Sequence, residues 1–292
     1  MGFTAGLEHV VRENEPLGPY TWFRLGGPAQ YFAEPTSTDE LIKLVTRARE
    51  EELPVRILGG GSNLLVSDSG VPGLTIQLSA AAFGAVEVQG QRIMAGGGAK
   101  LGHVISASVR EGLAGLEQLV GIPGTVGGAL HGNAGTDTGD IGRHARQATV
   151  LTRSGQLITR EQADLRFSYR QSSLDELVIL NATVELDGGD PEQLTKRMQK
   201  LWIVKKSTEP FSGENTGCIF KDPGGIKAVK LIEQAGLKGA RVGQAEVSET
   251  NANFVVVGSG ATASDVQQLI EMVEDGVADR TGVELERQIE IW

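Results

Sequence analysis

The sequence predicts an α+β fold, and three features of the chain favour this class. Residues 20–66 follow the order strand, strand, helix, strand, and residues 67–206 hold several short strand-like runs with few helices between them. Residues 207–292 alternate helical and strand-like segments, which is typical of a compact α/β unit. We therefore expect a two-part N-terminal domain, residues 1–66 and 67–206, and a smaller α/β C-terminal domain, residues 207–292, whose last strand can return to the first domain.

The individual elements follow from the spacing of apolar residues and from capping signals. Ser37 or Thr38, followed by two acidic residues, begins a helix that Pro54 ends. Further helices are predicted at residues 101–109, after Asp190-Pro191, at 227–234 and at 263–277. Strand-like runs occur at residues 20–24, 29–33, 55–58, 75–78, 85–88, 92–95, 148–152, 156–159, 177–186, 254–257 and 286–291. Residues 1–20 are interpreted as a polar lead-in, and 207–216 as a linker.

Composition and charge narrow the functional classes. The chain has 292 residues, of which 40 are glycine, about twice the usual share. Its net charge of −10 gives it no overall attraction to nucleic acid or to an anionic membrane surface. No secretory signal and no apolar run of about 18 residues is present, and the single cysteine excludes an internal disulfide. We expect a cytoplasmic protein of unknown oligomeric state, with no metal site.

A glycine-rich loop is the most informative local feature. The apolar run at residues 55–58 leads into Gly59, Gly60 and Gly61, and then into Ser62 and Asn63. Successive N–H groups of such a loop form a concave anion-binding surface, to which a hydroxyl and an amide add hydrogen bonds. The pattern indicates a loop that holds a phosphate or diphosphate. An ordinary tight turn between two strands is the alternative.

Two further glycine clusters favour the phosphate interpretation. They are AGGGA at residues 95–99 and GIPGTVGGA at residues 121–129, the second followed by GNAG at 132–135. Three such clusters suggest backbone that lines one extended ligand. A Rossmann dinucleotide site is rejected, because the first loop is not followed by a helix with an acidic ribose ligand downstream.

Several short motifs, taken in chain order, resemble those of the UDP-N-acetylenolpyruvoylglucosamine reductase (MurB) family. They are FRLGGPA (23–29), LGGGSNLL (58–65), GLE (115–117), GIPGTVGGA (121–129), NAG (133–135), FSYRQS (167–172), GCIFK (217–221), LIE (231–233), GLKG (236–239) and NF (253–254). The C-terminal part has no long insertion, so the chain resembles the shorter type II subtype.

The resemblance implies a fold and a reaction. The fold would be a two-part FAD-binding domain like that of vanillyl-alcohol oxidase (PCMH type), followed by a substrate-binding domain. The reaction would be the reduction of UDP-N-acetylenolpyruvoylglucosamine to UDP-N-acetylmuramate, with FAD and NADPH as cofactors. This is a step of peptidoglycan precursor synthesis in the cytoplasm, and therefore of cell-wall biogenesis, cell shape and cell division. The flavin would carry out the redox step, while the protein supplies orientation and electrostatics.

Site residues are also implied by the matching motifs. Arg170 would hold the substrate carboxylate, and Cys218, where the family usually has serine, would protonate the enolate carbon. An ordinary thiol, with a pKa of about 8.5, is mostly protonated at neutral pH and can donate. A small buried hydrophobe is the alternative role for Cys218. FAD-binding positions are implied at Gly59, Gly60, Gly61, Ser62, Asn63, Leu64, Gly121, Ile122, Thr125, Gly127, Gly128, Asn133, Ala134 and Gly135, and substrate-binding positions at Tyr169, Lys221 and Gln288.

The chain departs from the family pattern near its C-terminus. The family has a second catalytic glutamate in the motif Leu-Glu-x-Glu-Val, and here Gln288 occupies that position. Glutamine can donate a hydrogen bond but cannot supply a proton. Glu290 lies two residues further, on the same face if the segment is a strand, and we choose it as the functional carboxylate. Asn251 and Glu209 also stand where the family usually has histidine and glutamine.

Two other functions remain open at the level of sequence. The chain could be a related FAD oxidoreductase with another substrate, in which His103 or His131 would be a candidate for covalent attachment of the flavin. It could also be a flavin-binding family member with impaired catalysis, which the departures at Cys218, Asn251 and Gln288 would explain.

Overall fold

The computed structural model describes residues 2–210 and 216–292, and the central part of the predicted linker lies outside them. The chain forms two compact units whose segments are interleaved. The first unit contains residues 1–15, 29–60 and 72–203, and the second contains 16–28, 61–71 and 204–292. Mixed helices and strands confirm the α+β class. Within the described residues, no helix combines the length and the apolar character that crossing a membrane requires.

Five of the six α-helices described by the structure lie close to the predicted positions, whereas the short helix at residues 126–131 was not predicted. Within the described residues they are α1 (Thr38–Glu50), α2 (Leu101–Arg110), α3 (Val126–His131), α4 (Pro191–Thr208), α5 (Ala228–Gln234) and α6 (Ala263–Thr281). Ser37 caps α1 by accepting a hydrogen bond from the Glu40 N–H at 3.3 Å. At α6, Thr262 and Asp265 form a reciprocal capping box, and Gly282 ends the helix in the left-handed conformation.

The strands are short and mostly antiparallel. Within the described residues they are β1 (Val11–Pro16), β2 (Pro28–Ala33), β3 (Val55–Leu58), β4 (Leu64–Leu65), β5 (Val71–Gln77), β6 (Val86–Gln89), β7 (Arg92–Gly96), β8 (Leu113–Ala114), β9 (Gly135–Thr136), β10 (Gly139–Asp140), β11 (Ala145–Leu151), β12 (Leu157–Glu161), β13 (Phe167–Ser168), β14 (Gln171–Ser172), β15 (Val178–Glu185), β16 (Asp187–Gly188), β17 (Thr216–Cys218), β18 (Arg241–Val242), β19 (Ala245–Val247), β20 (Phe254–Val257) and β21 (Glu290–Ile291).

The first unit is built on two sheets. One has the strand order β1-β2-β5-β3, with β3 and β5 parallel, and the other is an antiparallel sheet with the order β12-β11-β15-β7-β6. Helix α1 buries Leu41, Leu44, Val45 and Ala48, which share one face of the helix, in the same core as Leu74 and Ile76 of β5. A second core, under α2, includes Leu101, Val104 and Ile105.

The second unit has its own core around a four-stranded antiparallel sheet. The strand order is β17-β20-β19-β18, and α6 buries Val266, Leu269, Ile270, Val273 and Val277 in the same core. Phe23 and Leu65, which are distant in sequence from this sheet, also belong to that core. The parallel pair β4–β21 joins the segment at residue 64 to the C-terminal strand.

This packing differs from the expected domain boundaries. The boundary predicted at residues 206/207 lies close to the point, at 203/204, where the chain passes from the first unit to the second. Segments 16–28 and 61–71, which were expected in the first domain, group instead with the C-terminal unit, because Phe23 and Leu65 are buried in its core. The division of the remaining residues into two FAD-binding subdomains stays a prediction.

The strand predicted at residues 20–24 was wrong, and the one predicted at 286–291 was correct only for its last part. Residues 20–24 form the end of a short 3₁₀ helix, Gly18–Tyr20, and a turn in which Arg24 has a φ of 57°. The turn is stabilised because the Thr21 hydroxyl donates to the carbonyl oxygens of Gly18 and Leu25. The first strand, β1, instead lies in the segment expected to be a polar lead-in. At the C-terminus only Glu290–Ile291 is a strand, with one isolated bridge between Arg287 and Phe220 before it.

The glycine cluster at residues 96–98 owes its composition to contacts inside the protein. A Cβ on Gly97 would lie 1.9 Å from the Ile179 carbonyl oxygen, and one on Gly96 would lie 2.1 Å from that of Phe83. Both glycines are buried. Gly96 and Gly97 thus allow backbone segments to pack closely, and the interpretation that this cluster also lines a ligand stays a prediction.

Substituting Gly97→Ala should destabilise the first unit by about 1–3 kcal/mol, because the new methyl group would overlap a buried carbonyl oxygen. Gly102→Ala, in α2, is the matched control, since a Cβ there would meet nothing within 4 Å. Alanine is the better helix former, so this variant should be as stable as the parent protein or slightly more stable. Urea unfolding curves measure both effects, and equal midpoints for the two variants would contradict the packing argument.

Candidate active site

Two glycine loops come into contact in the first unit. A Cβ on Gly60 would lie 2.7 Å from the Cα of Gly124, and a Cβ on Gly59 would lie 3.0 Å from the Thr125 hydroxyl. Gly121 and Gly124 have φ values of 77° and 110°, which residues with a side chain rarely adopt. Glycine is therefore favoured at residues 59 and 60 by the close approach of the loops, and at residues 121 and 124 by the backbone conformation. All five residues are half-buried, so their backbone remains accessible beside this contact.

Backbone hydrogen bonds hold the second loop in place. The Leu101 N–H donates to the Gly124 carbonyl at 3.0 Å, and the Gly127 N–H donates to the Gly97 carbonyl at 2.8 Å. The Gly128 N–H donates to the Thr125 hydroxyl at 3.4 Å. The N–H of Gly127, a predicted FAD-binding residue, is thus used within the protein. Ile122 packs against the core and its N–H donates to Leu119, which anchors the start of the loop.

The rest of the first glycine motif belongs to the second unit. Gly61 is buried with a φ of 63°, and a Cβ on it would lie 2.0 Å from the Tyr20 carbonyl oxygen. The Asn63 side chain is exposed, and its amide donates to the Gln288 carbonyl at 2.8 Å. The Asn63 carbonyl accepts the Glu290 N–H at 3.0 Å, and Leu64 pairs with Glu290. Ser62 is half-buried. Asn63 therefore connects the glycine motif to the C-terminal strand.

The first-unit loops fit the diphosphate of a flavin nucleotide. A diphosphate group binds to backbone that can approach it closely, which is easiest at positions without a Cβ. It also needs backbone N–H groups that can donate hydrogen bonds to its oxygens. Gly59 and Gly60 approach the second loop so closely that a Cβ on either would enter the contact, Gly124 has a positive φ, and all three residues are half-buried. With FAD bound, these loops would hold its phosphates.

A two-residue hairpin turn carries Arg170. Strands β13 and β14 pair, and Tyr169 and Arg170 form the turn between them. Arg170 has a φ of 57°, its Nη1 donates to the Gly135 carbonyl at 2.9 Å, and its guanidinium lies 5.4 Å from the Tyr169 ring centroid. The Arg170 Nε is buried without a hydrogen-bond partner among the described residues. An unpaired donor of this kind suits an anionic ligand group.

Asn133 fixes this hairpin to the end of α3. It is buried, its Oδ1 accepts the Gly142 N–H at 3.0 Å, and its Nδ2 donates to the Ser168 carbonyl at 2.7 Å. The Ala134 N–H donates to the Ala129 carbonyl at 2.7 Å. Two predicted FAD-binding residues, Asn133 and Gly135, therefore contact the hairpin that carries Arg170. The Asn133 side chain has a positioning role, and any direct contact with the cofactor would come from its backbone.

Cys218 is the last residue of β17, at the point where the chain stops pairing with β20 and begins to pair with the C-terminal segment. In β17 it pairs with Phe254 of β20, and its side chain is half-buried. The preceding residue, Gly217, packs on the Phe23 ring, where a Cβ would lie 2.7 Å from two ring carbons. Beyond Cys218 the chain pairs with the C-terminal segment, through a bridge between Phe220 and Arg287. The thiol thus lies where the backbone changes its pairing partner.

The same C-terminal segment contains both candidates for the missing glutamate. The N–H groups of Gln288 and Ile289 point to one acceptor, the Ile219 carbonyl, at 2.7 and 3.3 Å, which is the pattern of a β-bulge. Gln288 is therefore backbone-paired next to Cys218, and Glu290 is exposed and paired with Leu64. The expectation that residues 288 and 290 share one face required a continuous strand, and the bulge interrupts it.

The other residues considered in the sequence analysis have local partners or a buried environment. Lys221 is paired with Glu286, and its side chain is 16% exposed. Burial raises the pKa of Glu209, an effect that nearby Lys205 opposes. The Asn251 side-chain amide donates to the Thr208 carbonyl at 3.2 Å. His131, considered for covalent attachment of the flavin, has its ring 3.0 Å from the Leu174 carbonyl.

Sequence reasoning missed Glu117, which lies at the start of the second loop. Its carboxylate is 2% exposed and accepts the Gly115 N–H at 2.6 Å. Arg197 of α4 lies 3.0 Å from the other carboxylate oxygen. A buried carboxylate needs such partners, since an unpaired one would be costly. The signal was present in the GLE motif at residues 115–117, but a lone glutamate does not reveal that it is buried.

Comparison with known proteins agrees with the geometry of the first unit. Residues 29–160, which contain both glycine loops, match the FAD binding domain family. The fold and its loops therefore define a flavin-dependent protein.

The particular family follows from a match in the C-terminal part and from relatives that match nearly the whole chain. Residues 209–292 match the UDP-N-acetylenolpyruvoylglucosamine reductase C-terminal domain family. UDP-N-acetylenolpyruvoylglucosamine reductases from Rhodopirellula baltica and Moorella thermoacetica are each 41% identical, over 99% and 98% of this chain and 95% of their own lengths. The crystal structure of UDP-N-acetylenolpyruvylglucosamine reductase (MurB) from Thermus caldophilus covers 97% of this chain and 99% of its own, with 34% identity and a TM-score of 0.83. The chain belongs to the UDP-N-acetylenolpyruvoylglucosamine reductase family.

Substituting Gly60→Ala should weaken FAD binding about ten-fold or more, because a methyl group there would push the two loops apart. Gly84→Ala is the control, since a Cβ at Gly84 would make only ordinary contacts at 3.9 Å. Titration of the flavin-free proteins with FAD, followed by the change in flavin fluorescence, gives both affinities. If the two variants bind FAD equally well, the contact between the loops does not form the cofactor site.

Proposed function

We propose that this protein reduces UDP-N-acetylenolpyruvoylglucosamine to UDP-N-acetylmuramate with NADPH, using FAD, as a step of peptidoglycan precursor synthesis. The proposal is carried by the 41% identity to relatives of that name over nearly the whole of both chains. In the balanced reaction, the enolpyruvyl double bond gains one hydride and one proton, and NADPH becomes NADP⁺. FAD, when bound, supplies the two-electron transfer between NADPH and the double bond. We place the reaction in the cytoplasm, where both soluble substrates are available.

Arg170 would bind the carboxylate of the enolpyruvyl group. Its buried Nε has no hydrogen-bond partner among the described residues, and its Nη1 is fixed by the Gly135 carbonyl. A guanidinium held in this way can donate to the carboxylate before reaction and to the enolate that develops during it. The positive φ of Arg170 also supports a functional role, since strained backbone is concentrated at functional sites.

Cys218 would supply the proton. When a carbanion-like centre forms next to the substrate carboxylate, the thiol S–H bond breaks, a C–H bond forms and a thiolate remains, which solvent protonates again. The half-buried position of Cys218 at the end of β17 is compatible with this role, because the thiol has access to a ligand and is held by the sheet.

Gln288 is the better candidate for the group that assists Cys218. Its N–H donates to the carbonyl of Ile219, the residue after Cys218, and its own carbonyl is held by Asn63. A carboxamide cannot deliver a proton, but it can polarise the enolate by donating a hydrogen bond. Glu290, which we chose from the sequence, is exposed and pairs with Leu64, and this pairing does not favour it.

The proposed function is tested by following NADPH oxidation by the purified FAD-containing protein. Oxidation should depend on added UDP-N-acetylenolpyruvoylglucosamine, and UDP-N-acetylmuramate should accumulate in equal amount. Plain UDP-N-acetylglucosamine, which lacks the double bond, is the matched control and should give no turnover. A flavin-containing protein that oxidises NADPH equally fast with and without the enolpyruvyl substrate would contradict the proposal.

The role of Cys218 predicts opposite results for two small substitutions. Cys218→Ser keeps a group that can donate a proton and should retain turnover within about ten-fold, whereas Cys218→Ala should lose about 10²–10⁴-fold in kcat. Reduction of the flavin by NADPH alone should be the same in both variants, since it needs no proton from residue 218. Stopped-flow measurement separates the two half-reactions. An alanine variant with the parent rate would remove Cys218 from the mechanism.

A further inference from the structure

The side chain of Asn253 forms two hydrogen bonds with the backbone of Phe220. Asn253 immediately precedes β20 and is 9% exposed. Its Nδ2 donates to the Phe220 carbonyl at 2.8 Å, and its Oδ1 accepts the Phe220 N–H at 3.0 Å. The carboxamide can be oriented in only one way here, because one end must donate and the other must accept. The Asn253 carbonyl also accepts the Ile219 N–H at 3.0 Å.

Phe220 needs this partner because of how the neighbouring strands pair. The β17–β20 ladder ends at the pair Cys218–Phe254. On the other side, the Lys221 N–H donates to Glu286 and the Ile219 carbonyl accepts from Gln288, so these two bonds flank Phe220. In an antiparallel pair of this kind the central residue directs its own N–H and C=O away from the partner strand. Both groups of Phe220 therefore point towards Asn253, whose carboxamide takes the place of a third strand.

Asn253 is itself held by the loop before it. Its N–H donates to Asn251 Oδ1 at 3.0 Å, and the Phe254 N–H donates to the Asn251 carbonyl at 2.9 Å. The Ser248 hydroxyl accepts the N–H groups of Thr250 and Asn251 at 3.1 and 3.4 Å. Asn253 is therefore held through its backbone as well as its carboxamide. A residue held in this way can fix the position of the backbone that it binds, whereas a flexible one cannot.

Phe220 lies between the two residues to which we assign proton donation and substrate binding. Cys218 is two residues before it and Lys221 is the next residue. Phe220 is 3% exposed, so without Asn253 its N–H and C=O would be buried and unsatisfied. The backbone would then have to shift to recover hydrogen bonds, and Cys218 would shift with it.

We propose that Asn253 is a positioning residue, which sets the placement of Cys218 and Lys221 through its two hydrogen bonds to Phe220. The catalytic meaning of this placement rests on the proposed function. Removing the carboxamide should therefore impair protonation of the substrate, while reduction of the flavin by NADPH continues.

Three variants test the proposal. Asn253→Leu has a similar size but removes both hydrogen bonds, and Asn253→Asp keeps the acceptor for the Phe220 N–H and loses the donor. Leu269→Ala, in the core of the same unit, is a control for general loss of stability, because Leu269 is fully buried on α6 and plays no part in the site. The melting temperature of each variant shows that the comparison is made on folded protein.

Two measurements distinguish a positioning role from a structural one. Because Cys218 is the single cysteine, the rate of alkylation by iodoacetamide as a function of pH reports on that thiol alone. Asn253→Leu should change this rate by about three-fold or more and slow reoxidation of the reduced flavin by the UDP-sugar about ten-fold or more. Reduction by NADPH should stay within about two-fold. Asn253→Asp should change both measurements in the same direction and serves alone if the leucine variant does not fold.

The proposal is overturned if the Asn253 variants match Leu269→Ala in both measurements, since Asn253 would then support stability only. Failure of the proposed function looks different, because the parent protein itself would not be reoxidised by the UDP-sugar. In that case the alkylation rates still decide whether Asn253 positions Cys218.

Discussion

The contact between Gly60 and Gly124 is the constraint on which the proposed cofactor site of the first unit depends. A Cβ on Gly60 would lie 2.7 Å from the Cα of Gly124 and would push the other loop away, while Gly124 itself has a φ of 110° that favours glycine. The second loop cannot move away easily, because hydrogen bonds tie Gly124 to Leu101 and Gly127 to Gly97. Gly97 is in turn packed against the Ile179 carbonyl of the central strand β15. The glycines of these loops therefore form a rigid backbone surface, because close packing and hydrogen bonds hold them in place.

The same logic explains why some predicted cofactor residues have no side chain or N–H to offer. Gly127 and Asn133 use their polar groups inside the protein, and by doing so they fix the loops and the hairpin that present Gly124, Gly135 and Arg170. Buried polar groups must find partners, and satisfied networks make a site rigid. We therefore propose that Gly127 and Asn133 support cofactor binding by holding the backbone of the loops and the hairpin in place.

Much of the fold could be predicted from the sequence, and the errors have identifiable causes. Helix α1 and strand β20 were predicted correctly because apolar spacing and caps are local signals. Residues 20–24 looked like a strand because they include aromatic residues, but the Phe23 ring is buried in the core of the second unit and the segment is not part of a sheet. The bulge at residue 288 arises from a carbonyl distant in sequence, at Ile219, so no local pattern could reveal it.

The candidate site also contains residues that local sequence patterns reveal and residues whose roles depend on long-range contacts. Short motifs identified Arg170, Cys218 and the glycine loops, because their chemistry is visible in the residue types. Glu117 and Asn253 lie in two of the matching motifs, but their roles could not be assigned from the sequence, since these depend on burial and on partners distant in the chain. A single glutamate or asparagine becomes informative only when its hydrogen bonds are known.

The claim that glycine-lined backbone holds a flavin nucleotide is tested most directly by comparing the binding of FAD and riboflavin to the flavin-free protein. Riboflavin carries the same ring system but lacks the diphosphate and the adenosine. We expect one FAD per chain, bound at least about 100-fold more tightly than riboflavin, a difference of about 2.7 kcal/mol. Equal affinity for the two compounds, or no uptake of FAD at all, would contradict the account.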